Sequence, residues 1–301
     1  MAMFSNGGIT SPDIWMVISF ILIALISIVL NPLVFRHNFY KKSSIARALY
    51  MTLSATDFVA SIYQSTLLSM GILSPKEEQC VEDHNATFCQ KNYYEYSRAA
   101  TTTEKALGSI AWSLGSIPIV ITAVLSLTRW YQITFPLKLL TKRTVGTSLI
   151  AFITAVVAYM FCTMFNDASG TVMTMTMQTT KMSAKGDKIY YYVPVVAILI
   201  FTWASNIASI STVWTIVKSP VIQGNVEIHA RKTRSAIRIV LLNAGNVVWS
   251  GLLFSIPLTN SESKAHSIQL MASTILPLIL SSYDPIVYVG LTKRIFKNSS
   301  S

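Results

Sequence analysis

The sequence predicts an all-α fold: a bundle of seven membrane-spanning helices, N-terminus outside, with a short amphipathic cytoplasmic helix at the C-terminal end. Three observations predict it. Of 301 residues, 52% are hydrophobic and only 12% charged, about half the charge of a soluble domain. Seven charge-poor runs follow one another, each near the roughly 20 residues that a bilayer-crossing helix needs. Lysine and arginine fall between these runs and hardly ever within them.

The runs cover residues 14–35, 48–73, 106–128, 145–165, 189–217, 239–260 and 267–292. The second is interrupted only by Asp57 and the seventh only by Asp284, and Arg129 directly follows the third. The connections are short, so residues 1–301 read as a single transmembrane domain. Each run is about twice the length of a membrane strand and lacks sustained alternation. Helices satisfy their own backbone groups, as lipid requires. Prolines fall inside the runs at Pro32, Pro118, Pro194, Pro257, Pro277 and Pro285. Each removes a backbone donor, which membrane helices tolerate. The first twelve residues lack a positive region, so no cleavable signal peptide is expected.

Charge sets the expected orientation. With the N-terminus outside, 16 of the 24 Lys and Arg residues lie on the cytoplasmic side, where Glu227 is the lone acid. The outer side holds eight basic and ten acidic residues. Positive charge stays inside, so the expected location is the cell membrane, crossed several times. The triplet Asn85-Ala86-Thr87 is a glycosylation sequon in the outer connection between the second and third runs. Asn298-Ser299-Ser300 also matches but falls on the cytoplasmic side. The net charge of +11 is spread over these connections and forms no polar domain, so nucleic acid is not an expected partner. Membrane lipids are.

Ionisable groups inside a membrane are functional candidates. Asp57 and Asp284 both sit roughly 12–15 Å above the cytoplasmic face at 1.5 Å per residue, so they can share a layer. Two carboxylates there cannot both stay ionised without a cation, a water or a shared proton. Asn31 lies at similar depth, and Ser281 lies one turn before Asp284. The four residues form a candidate polar network or cation site. The plainer reading is a structural hydrogen bond between helices.

In order along the chain, several motifs resemble those of the rhodopsin-like G-protein-coupled receptors. Leu30-Asn31-Pro32-Leu33-Val34 is similar to the first-helix Asn motif, and Leu53-Ser54-Ala55-Thr56-Asp57 to the second-helix motif. Thr128-Arg129-Trp130 stands where Asp-Arg-Tyr is expected, with Phe135-Pro136-Leu137 after it. Asp284-Pro285-Ile286-Val287-Tyr288 resembles the Asn-Pro-x-x-Tyr motif, and Lys293-Arg294-Ile295-Phe296 reads as the amphipathic surface helix. The resemblance implies a cell-surface receptor that converts binding of an extracellular ligand into activation of a heterotrimeric G protein on its cytoplasmic face. It implies that Arg129, Tyr288, Trp249 and Pro285 form the switch, and that Asp57 anchors a sodium ion or a water network.

The departures from the pattern carry expectations of their own. Thr128 replaces the acid before Arg129, and Arg231 falls near the usual acidic partner on the sixth helix, so a weak inactive lock and raised basal signalling are expected. Gly251 replaces a proline after Trp249, the usual fourth-helix Trp is missing, and Pro118 replaces a Ser beside the sodium position. The usual disulfide has no second cysteine at 166–192. Cys80 and Cys89 share an outer connection in an oxidising compartment and are expected to bond to each other, a closure worth roughly 2–3 kcal/mol in loop-entropy models. Cys162 is expected to be a small buried hydrophobe.

The ligand is constrained mainly by exclusion. Ala111 occupies the position of an amine-binding acid and Leu278 that of a retinal-binding lysine, so neither ligand class is expected. Aromatic clusters at Tyr93, Tyr94 and Tyr96 and at Tyr190, Tyr191 and Tyr192 suit an interfacial belt or the rim of a pocket for a peptide or small organic ligand. The alternative function is a transporter or channel with Asp57 and Asp284 on an ion path, although no internal repeat supports it. An enzyme is not expected. His37, His84, His229 and His266 are scattered, and no phosphate-binding loop or nucleophile elbow occurs. No cofactor or metal is implied.

Overall fold

An uninterrupted apolar run offers its backbone no partner but itself, and the chain accordingly forms long helices. A computed structural model describes residues 6–7, 11–40, 44–73, 76–77, 79–83, 86–90, 95–99, 101–135, 141–165, 171–174, 179–181, 188–218, 226–255 and 264–290. Among the described residues seven helices carry the fold: α1 (Ser11–Phe39), α2 (Ile45–Leu73), α3 (Thr102–Thr134), α4 (Lys142–Phe165), α5 (Lys188–Lys218), α6 (Val226–Ser255) and α7 (Lys264–Gly290). Each begins before the apolar run predicted for it, because a polar first turn continues the helix beyond the apolar part. The difference is largest in α6, which starts 13 residues before the run predicted from 239. The entry to α3 has an explicit cause. Thr101 Oγ1 accepts from the Glu104 amide while Glu104 Oε2 accepts from the Thr101 amide at 2.8 Å, a capping box.

The connections hold structure that an all-α reading omits. Short strands β1 (Asn6–Gly7), β2 (Lys76–Glu77), β3 (Gln79–Asp83), β4 (Ala86–Gln90), β5 (Glu95–Ala99), β6 (Thr171–Thr174) and β7 (Thr179–Lys181) flank the helices. β1 pairs with β2, β3 with β4, and β6 with both β5 and β7, all antiparallel. These pairings tie the start of α1, the end of α2, the start of α3, the end of α4 and the start of α5 to one end of the bundle. The candidate polar residues lie below this strand end.

α1 packs on α2 and α7, and α5 packs on α6, with α3 against α2, α4, α5 and α6. α3 is therefore the central helix, with 61% of its most apolar window buried against 28% for α1 and α5. Many polar side chains lie among the hydrophobic core of the bundle, and many large apolar ones lie on its surface. Ser27, Asn31, Ser61, Gln64, Ser126, Ser205 and Asn243 are almost fully buried, whereas Trp15, Leu22, Val29, Ile200, Ile207 and Trp214 are exposed. In water so large an apolar surface would be an aggregation liability; against acyl chains it has no such cost. Four helices among the described residues, α1, α3, α5 and α6, are long and apolar enough to cross a membrane, which points to a membrane protein. α2 falls outside that set because Ser54, Asp57, Ser61, Gln64 and Ser65 line its inner face.

Cys162 is a correction. It is exposed on α4, because α4 packs chiefly on α3 and leaves most of its circumference outward. The amphipathic segment at 293–296, the sequon asparagine Asn85 and Pro257 lie outside the described residues.

Candidate functional site

Two prolines in α7 determine how the site is built. Proline has no N–H to donate to the carbonyl four residues back. Pro285 therefore leaves the Ser281 carbonyl without its helical partner, and Pro277 does the same to Ser273. Side chains from other helices occupy both. Ser27 Oγ donates to the Ser281 carbonyl at 3.0 Å and Asn31 Nδ2 at 3.2 Å, both from α1. Trp249 Nε1, from α6, donates to the Ser273 carbonyl at 2.9 Å. The prolines thus turn two α7 carbonyls into sockets for side chains of α1 and α6.

Around the first socket lies the acidic layer. Asn31 Nδ2 also donates to Ser27 Oγ at 2.7 Å, and Ser27 Oγ reaches the Asp57 carbonyl of α2 at 3.4 Å. Asn31, Asp57 and Asp284 line one small cavity of about 10 Å³, with Pro285 and Tyr288 in its wall. Asp57 and Asp284 are 1% and 4% exposed, and neither Asp57 carboxylate oxygen has a hydrogen-bond partner among the described residues. A charge buried in that manner is costly. The cavity is of the size that admits one water, and a small cation or shared proton would serve the same need. Among the described residues no group of three His, Cys, Asp or Glu could hold a metal ion.

Around the second socket the packing is aromatic. Trp249 is 1% exposed, and its ring lies 6.2 Å from that of Trp112 on α3. Gly115, one turn further along α3, faces Pro277, whose ring atoms would stand 3.3–3.4 Å from an added Cβ. Ala111 and Leu278 are both buried in helix contacts. The Ala111 carbonyl accepts from Gln64 Nε2 at 3.4 Å, and Leu278 packs with Phe20, Ala24 and Leu68.

At the end opposite the strands, Tyr288 is buried among polar partners. Its hydroxyl donates to Asn38 Oδ1 at 2.9 Å. Its ring meets Tyr50 of α2 edge-on at 4.9 Å. The Arg238 guanidinium of α6 lies 4.4 Å from the Tyr288 centroid and 5.8 Å from that of Tyr50. Such cation–π contacts are worth roughly 0.5–2 kcal/mol. Arg129 of α3 acts electrostatically on the same Tyr50, and its Nε has no hydrogen-bond partner among the described residues.

Several of these residues escape a sequence reading. Arg238 counts there only as a topological charge, although Arg238, Leu242, Gly245 and Trp249 recur at the spacing of one helix face. A second polar hub was equally hidden. Asn243 Nδ2 donates to Ser126 Oγ of α3, to Ser209 Oγ of α5 at 3.1 Å and to the Ile239 carbonyl at 3.1 Å, while Ser205 Oγ donates to Asn243 Oδ1 at 3.2 Å. Asn246 Nδ2 donates to Thr122 Oγ1 at 2.6 Å. The signal available was the i, i+3 pair of asparagines with serines and threonines four apart on α3 and α5. In the strand region, the β3–β4 register sets Cys80 opposite Cys89.

No protein-family model matches the chain, and a comparison with curated proteins gives no match.

Proposed function

We propose that the chain is a seven-span receptor of the rhodopsin-like, G-protein-coupled type, set in the cell membrane with its N-terminus outside. One observation carries the reading: Tyr288 is held between Asn38 and Arg238 at the end of the bundle opposite the strands, with its ring against Tyr50, on which Arg129 acts. On this reading Tyr288 of α7 is the group whose release lets α6 move, and its contact with Arg238 joins those two helices. The ligand, a peptide or a small organic molecule, enters from the strand end and acts through Trp249 on the α6–α7 socket. Binding need only favour one of two helix packings. Arg129 then meets the G protein.

The absence of an acid beside Arg129 supports raised basal signalling, with the Arg238 contact as the main restraint. Cys80 and Cys89 are proposed to form a disulfide and Asn85 to carry a glycan, both on the outer face. The test is nucleotide exchange on several purified G proteins by the full chain in nanodiscs, with Arg129→Ala as control. Exchange above that control supports the receptor; exchange equal to it for every G protein rejects it.

The second reading is an ion path through Asp57 and Asp284. It draws on the unpartnered Asp57 carboxylate. Cation flux into vesicles holding only this protein separates the two readings.

A further inference from the structure

On the outer surface of the bundle, α1 and α2 line a groove of about 580 Å³. Phe35 and Phe39 of α1 and Met51 and Ala55 of α2 form its apolar walls, while Asn38 and Arg47 line its polar side. The walls are on the outer surface, with Phe35 and Phe39 37% and 60% exposed. α1 is one of the helices able to cross a membrane, so the groove opens toward acyl chains.

Its charge is one-sided. Among its lining residues Arg47 is charged and none is acidic. A soluble anion would have no use for the apolar walls, and a neutral lipid none for the basic end. We infer that the groove holds one anionic phospholipid, its phosphate on Arg47 and an acyl chain along Phe35, Phe39, Met51 and Ala55.

The site has a route to the switch. Asn38 accepts the Tyr288 hydroxyl at 2.9 Å, and the charge of Arg47 also acts on that hydroxyl. A phosphate on Arg47 would partly neutralise that charge and so change the field at Tyr288. A lipid is thereby coupled to the contact that joins α6 and α7.

The inference rests on the membrane reading and is independent of the receptor reading. Its test is native mass spectrometry of the full chain released from mixed phosphatidylserine and phosphatidylcholine. Each basic residue near an anionic headgroup contributes about 1 kcal/mol, so phosphatidylserine should be retained about fivefold over phosphatidylcholine. Arg47→Gln should remove that preference. Ala55→Phe, which fills the groove and leaves the charge, should reduce retention of both lipids at an unchanged melting temperature. Equal retention of the two lipids by the wild type, or the same preference in both variants, overturns the site. Displacement by millimolar inorganic phosphate also overturns it, in favour of a plain anion site. Nucleotide exchange is not read, so the receptor and the lipid site stand or fall separately.

Discussion

The indole of Trp249 is paired with a carbonyl that exists as an acceptor only because residue 277 is a proline. This dependence can be measured. Trp249→Phe keeps an aromatic ring and loses the N–H, and should cost about 1 kcal/mol, the net worth of one hydrogen bond. Pro277→Ala restores a helical donor to the Ser273 carbonyl, so in that background the same substitution should cost close to nothing. A double-mutant cycle on thermal unfolding in detergent measures the difference; additive effects would reject the pairing. The second residue-scale prediction concerns Asp57. Asp57→Asn keeps the shape, removes one of two buried acids and adds donors that can meet Asp284. It should raise stability by about 1–3 kcal/mol, since an unsatisfied buried group costs that much. A lowered melting temperature would show that Asp57 is stabilised as a charge by a bound partner.

At the scale of elements, two glycines that look alike in sequence have opposite roles. Gly115 on α3 lies against the ring of Pro277, and a ring cannot rotate away. Gly115→Ala should destabilise by about 1 kcal/mol, at the low end of overpacking. Gly251, in the place of the expected proline, has nothing within 4 Å of an added Cβ. Gly251→Ala should stabilise α6 by about 0.5–1 kcal/mol through helix propensity alone. The two melting temperatures, measured side by side, should move in opposite directions. The same level explains the Asn243 hub. Three helices converge on one amide there, and hydrogen bonds between membrane helices replace the hydrophobic force that lipid removes.

For the whole molecule, contacts among three helices meet at Arg238. Its guanidinium joins α6 to Tyr288 of α7 and Tyr50 of α2 through cation–π contacts. Arg238→Ala should therefore raise basal nucleotide exchange several-fold on the proposed receptor reading, since about 1 kcal/mol of contact shifts a two-state population by roughly fivefold. Arg238→Lys should fall between, because lysine has no planar group to stack. Unchanged basal exchange in Arg238→Ala would remove Arg238 as the restraint. Topology can be checked at the same scale. A glycosidase-sensitive mass shift lost in Asn85→Gln, and an outward-facing N-terminal tag, should appear together.

The sequence alone determined where the apolar helices run, because each run reflects its local composition and length. It also determined that Asp57 and Asp284 interrupt two of those runs. What Asp284, Ser281 and Trp249 meet was decided only by the tertiary structure. A proline states that a carbonyl is freed but not which neighbour will fill it, and α1 took one while α6 took the other. The paired strands β1–β2 and β5–β6 were hidden for the same reason, since each joins connections far apart in the chain. Arg238 read as one positive charge among many until helix rotation turned it onto Tyr288. Partners across a bundle depend on how whole helices are turned and spaced, and hydropathy along one chain carries no record of that.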